Sequence, residues 1–115
     1  MADYVYLKNM SQVGDIAISR RIFVDIATEA TNRVIGASVA ETKTKSKLLV
    51  MLYHPVTVTF HQNGKVEIKI AITLKKGADA NKICLAIQQE VAESLLAYTE
   101  SIAFDVKIKV ESIAL

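Results

Sequence analysis

Tryptophan is absent, there is one proline (Pro55), one cysteine (Cys84) and four glycines, and aromatics make up only 6% of the chain. A single cysteine excludes an internal disulfide, which fits a reducing compartment. It also excludes a cysteine-rich zinc module, and no HExxH or CxxC pattern supplies further ligands. No GxxxxGK[ST] or GxGxxG stretch is present to cradle a phosphate. No apolar run reaches the roughly 18 residues of a membrane span, the longest being Leu48 to Tyr53. The opening MADYVYLKNM lacks a basic start followed by an apolar core, so no signal peptide is expected. The net charge of +2 is too small to demand or forbid a polyanionic partner.

What is there is apolar patterning. Apolar residues make up 51% of the 115, enough for one folded domain. A chain of that length buries roughly two-thirds of the surface it exposes when unfolded. Asp15 to Ile18 reads as a short strand, and Ser19 as a helix cap whose hydroxyl accepts from a free backbone N–H. Ile22, Phe23, Ile26, Ala27, Ala30 and Val34 recur at helical spacing, and Gly36 stands where a helix stops. A first helix is predicted over 20–35. The polar stretch ASVAETKTKSK reads as a loop.

Val56, Val58 and Phe60 alternate with Thr57 and Thr59, and Asn63-Gly64 is a strong hairpin signal. Val66, Ile68, Ile70, Ile72 and Leu74 then form one face of a long strand. Gly77 ends it, and Asp79 suits the cap of a second helix. Ala80, Cys84, Ile87, Val91, Leu95 and Tyr98 give that helix an apolar stripe. A final strand alternates Ile102, Phe104, Val106, Ile108 and Val110 with Asp105, Lys107 and Lys109. The predicted fold is α+β, in the order β-α-β-β-α-β, with two helices on one face of a mainly antiparallel sheet. Residues 1–13 form an N-terminal tail or edge strand, and 14–115 a single domain.

Chemistry finds few footholds. Cys84 points into the helix stripe, where a thiol stays protonated and acts as a small apolar group. His54 and His61 are too few for a metal site, and none is predicted. Lys75, Lys76 and Gly77 before one helix, and Ser19 with Arg20 and Arg21 before the other, read as solvated turns. Glu67, Lys69, Asp105, Lys107, Lys109 and Glu111 read as cross-strand charge pairs on a solvated face. No catalytic residue, cofactor or metal is therefore assigned. The element order is also that of RNA-recognition modules, but Glu67, Lys69, Ala71 and Thr73 supply no outward aromatic for base stacking. The most unusual segment is TKTKSKLLVMLYH. Lys43, Lys45, Lys47, Leu48, Leu49, Met51 and Tyr53 are the candidate interaction surface, facing a protein partner or acidic lipid headgroups; the alternative is a solvated loop followed by a short buried element.

The stretch GDIAISRRIFVDIATEATNRVIGAS resembles the opening of the alkaline-shock and general-stress protein family of mainly Gram-positive bacteria. The residues that carry the likeness are Gly14, Ile16, Ile18, Ser19, Ile26, Ala27, Ala30, Val34 and Gly36. VTVTF, NG, KVEIKIAITLKKGADA, NKICLAIQQEVAESLLAYT and FDVKIKVESI follow the family's order, so the likeness covers roughly 14–113. Two departures stand out. Arg20 and Arg21 replace a frequent acidic residue, and ETKTKSKLLVMLYH replaces a glycine-rich stretch. The resemblance implies a small, cytoplasmic, non-enzymatic protein. It also implies a link to cell-envelope stress or homeostasis, with association to the membrane through a separate anchor protein. It leaves room as well for control of fatty-acid synthesis at acetyl-CoA carboxylase. The edge of the sheet and the Lys43 to Tyr53 segment are the expected surfaces for self-association and for docking on a protein partner, since open strands and exposed apolar runs invite pairing. A nucleic-acid-binding module, a carrier or small enzyme using Cys84, and direct lipid binding are the remaining readings.

Overall fold

The computed structural model describes residues 4–7, 16–41, 53–99 and 104–114, with backbone alone for 4–7, 16 and 17. The architecture is α+β. Strand β1 (Tyr4–Leu7) pairs antiparallel with β2 (Ile16–Ser19) as a separate two-stranded sheet. Helix α1 (Arg20–Arg33) follows, then β3 (Ala37–Val39), β4 (Val56–Phe60), β5 (Val66–Lys75), helix α2 (Ala80–Leu96) and β6 (Phe104–Ala114). β5 is the centre of the four-stranded sheet. β4 pairs antiparallel along its first half and β3 along Ile72, Thr73 and Leu74, both on one edge of β5. β6 runs parallel along the other edge, as a strand returning through a helix must.

The expected β-α-β-β-α-β order is therefore extended by two strands. Tyr4–Leu7 is a hairpin strand, and Ala37–Val39, read as loop from its polar surroundings, is β3. Three residues show no period, and β3 is held by a partner more than thirty positions away. The first helix ends at Arg33 rather than residue 35, because Val34 is already extended.

The core forms where the helix stripes meet the inner face of β5. Val66, Ile68, Ile70, Ile72 and Leu74 are buried there with Phe23, Ala27 and Ala30 of α1 and Ile87, Val91 and Leu95 of α2. Phe23 anchors the sheet end of this layer. Its ring meets Phe60 edge-on at 5.8 Å and Phe104 at 5.9 Å, touching both outer strands. The stripes are narrower than predicted: Ile22, Ala80 and Tyr98 are exposed. Ala80 and Tyr98 lie at or just past the ends of α2, and Ile22 in the first turn of α1.

Turns and caps follow local chemistry. Gly36, Gly64 and Gly77 all have positive φ. Asp79 accepts from the N–H groups of Asn81 and Lys82, so it caps α2 as predicted. Ser19 occupies the cap position of α1, but its side chain makes no capping bond. Buried Thr31 and Thr99 are satisfied by donating to the carbonyls of Ala27 and Leu95 one turn back.

Candidate interaction surfaces

Two features stand out on the sheet: a groove on its outer face and the edge of β6. The groove lies opposite the helices. Its floor is Ala71 and Thr57, small side chains that lie in register beside Lys109 and Lys69. Lys69, Lys107 and Lys109 form one wall, and Tyr53, His54 and Pro55 the other, around a cavity of about 340 Å³. The Tyr53 hydroxyl donates to Glu111 Oε2 at 3.0 Å across the end of the groove. Burial, and then the nearby Glu111 carboxylate, push the Tyr53 phenol above its ordinary value.

The charges on this face are arranged diagonally. In register, Glu67 lies opposite Asp105 and Lys69 opposite Lys107, both like-charge pairs. Relief comes one step along the strand: Lys107 Nζ lies 2.6 Å from Glu67 Oε1 and His61 Nε2 3.1 Å from its other oxygen. These bonds, the Lys107 one first, hold the Glu67 carboxyl below the usual range, and Glu67 in turn raises the Lys107 ammonium. Lys65 and Asp105 complete the cluster at 4.0 Å. Among the described residues, Lys69 and Lys109 make no ion pair, so the groove keeps a positive rim.

Of the predicted interaction residues, Tyr53 alone is described, and it sits half-buried in the groove wall. Lys43, Lys45, Lys47, Leu48, Leu49 and Met51 lie outside the described residues. The chain leaves and re-enters the sheet at one place: Ala40 N–H donates to Ala71 O, and Ala71 N–H to Pro55 O. Ala71, the groove floor, is thus the common anchor for both ends of that segment. The groove residues Lys69, Lys107, Lys109 and Glu111 read from sequence only as a solvated face. Ala71, a lone small residue among charged outward positions, is the signal that marks a depression.

The two edges of the sheet differ. On the β3/β4 side, α1 reaches one backbone group on each strand: Arg20 donates to the Val58 carbonyl, and Asn32 Oδ1 accepts from Val39 N–H at 2.9 Å. The Arg20 guanidinium also lies 4.8 Å above the Phe60 ring. On the other side, no described strand pairs with the outer edge of β6 over its eleven residues. α2 reaches it once, where Gln88 Nε2 donates to Val106 O at 2.9 Å. Leu85, Gln88, Ala92 and Leu96 share one flank of α2 by their spacing of three and four. The opposite flank faces α1, where Arg33 bonds Glu90 at 3.0 Å and Ser94 at 2.9 Å. The β6 flank leaves Leu85 59% and Leu96 47% exposed, and on β6 Val110 is 40% and Ile113 56% exposed. Val110 thus departs from the buried phase that alternation predicts.

Cys84 is half-buried, packed against the core, and burial pushes its thiol up. His54 is exposed on the groove wall, and among the described residues no group of three metal-ligating side chains occurs. No helix among them is long and apolar enough to cross a membrane. In comparison with known proteins, no family model, curated protein or solved structure matched this chain.

Proposed function

We propose that this protein is a non-enzymatic interaction protein that self-associates and docks on a protein partner. One observation carries the reading: no described strand pairs with the outer edge of β6, with Leu85 and Leu96 exposed on the α2 flank and Val110 and Ile113 exposed on the strand itself. An open strand edge with apolar side chains beside it invites another chain to pair with it. The groove with Lys69 and Lys109 on its rim is a second surface, suited to an acidic segment of a partner. The likeness to the alkaline-shock family supports a cytoplasmic place at the cell envelope, reached through a partner such as a membrane anchor protein.

The test is capture of the tagged protein from its native cells in mild detergent, beside a Lys69→Glu variant. Stoichiometric recovery of an envelope or membrane protein, lost with Lys69→Glu, is the expected result. Nuclease-sensitive recovery of RNA-bound proteins would overturn the reading in favour of a nucleic-acid module. Acetyl-CoA carboxylase subunits would move the role to control of fatty-acid synthesis.

A further inference from the structure

We propose that β6 is a homodimer seam: two copies pair antiparallel through Phe104–Val110, about a two-fold axis at Lys107, and fuse their sheets into one. This rests on the self-association in the functional reading and names its surface and register. The second copy is the occupant because of the charges. β6 keeps an unbroken register with β5 from Phe104 to Val110, and the first irregularity comes just after, at Glu111. Lys107 is the middle of that straight stretch. Pairing about it sets Asp105 opposite Lys109 of the second copy, and Lys109 opposite Asp105, so two opposite-charge pairs form. Lys109 makes no ion pair within its own chain among the described residues. The central Lys107 meets its own copy, but each is already bonded to Glu67 at 2.6 Å. Phe104 then faces Val110, and Val106 faces Ile108, on the helix side. Moving the axis to Ile108 would set Lys107 against Lys109 and Asp105 against Glu111, all like charges directly opposed.

The helix flank fits the same axis. Gln88 reaches Val106, and Leu85 lies one turn before it, about 4.5 Å along α2. Since a strand rises about 3.3 Å per residue, Leu85 stands level with the Lys107–Ile108 position, beside the axis. Leu85 of one copy therefore faces Leu85 of the other across the seam, giving this exposed leucine a partner. The Gln88 bond does not block the pairing, because a carbonyl oxygen has two lone pairs. The opposite sheet edge offers no equivalent straight stretch, since it is divided between the short strands β3 and β4, and Asn32 already takes the Val39 N–H.

The experiment is sedimentation equilibrium on the full chain and on Lys109→Glu, Asp105→Lys, the double charge swap, and Leu85→Glu. All three positions are solvent-accessible, and circular dichroism checks that each variant folds. The expected result is a dimer for the wild type, weakened about tenfold or more by either single charge reversal. The double swap restores it, and Leu85→Glu weakens it. A dimer indifferent to these changes, or one that the double swap fails to restore, overturns the seam and leaves self-association standing. A wild-type monomer overturns the seam and self-association together, while docking on a partner is still judged by the capture experiment.

Discussion

Glu67 shows how one side chain reconciles an awkward register. It faces Asp105 directly across the β5–β6 pair, yet its oxygens are held by Lys107 on the diagonal and by His61 at the turn. Its carboxyl is therefore depressed below the usual range. A depressed carboxyl adds stability that is present above its unfolded value of about 4.3 and lost as pH falls through the folded one. Glu67→Gln should lower the melting temperature at neutral pH, and the gap to the wild type should close as pH falls below about 4. Melting curves followed by circular dichroism from neutral to acidic pH would show it. A constant gap would mean that the charge of Glu67 has no part in it. Cys84 makes the opposite case: burial raises its thiol, so it packs as an apolar group.

Between elements, the tightest junction is Gly36, where α1 hands over to β3 and passes beneath α2. Its φ is +103°, and a Cβ there would come within 2.9 Å of Ile83 Cδ1. Its carbonyl also accepts from Lys75 N–H at 2.8 Å, locking β3 to the end of β5. Gly64 has a similar φ of +87° with nothing within 4 Å, in the open β4–β5 turn. Gly36→Ala should therefore cost about 1–3 kcal/mol, more than Gly64→Ala, where backbone strain acts alone. Urea unfolding of both variants measures the difference. Equal losses would show that Ile83 gives way freely. Helix α1 also has an element-scale role that its own period does not show: Arg20 and Asn32, near its two ends, each reach one backbone group on the β3/β4 edge.

Across the whole molecule, Phe23 joins three elements. It is 1% exposed and its ring touches Phe60 on β4 and Phe104 on β6, the two strands flanking β5. Phe23→Ala should cost about 3–5 kcal/mol, a large part of the roughly 5–15 kcal/mol that holds a domain of this size. Equilibrium unfolding gives the number. A loss below about 1 kcal/mol would show that the surrounding side chains collapse into the space. The sheet is thus asymmetric in its edges: one is met by helix side chains at Val58 and Val39, and the other is long, half-apolar and paired with no described strand.

What the sequence by itself determined was what depends on near neighbours. The alternation from Val66 to Leu74, the stripe Ile87, Val91 and Leu95, the turn at Gly64 and the Asp79 cap all act within a few residues, and all stand in the structure. The charge pairing of Glu67 with Lys107 was legible too, once the two strands were placed side by side. What only the tertiary structure decided depends on residues far apart in the chain. β3 exists because β5 offers it an edge. Arg20 matters through Val58, 38 positions away. The groove needs Tyr53 brought against Lys109 and Glu111 across the sheet. Local period reports which face of a strand or helix is apolar. Which edge stays open, and which leucine is left uncovered beside it, is set by how the elements stack, and no local pattern encodes that.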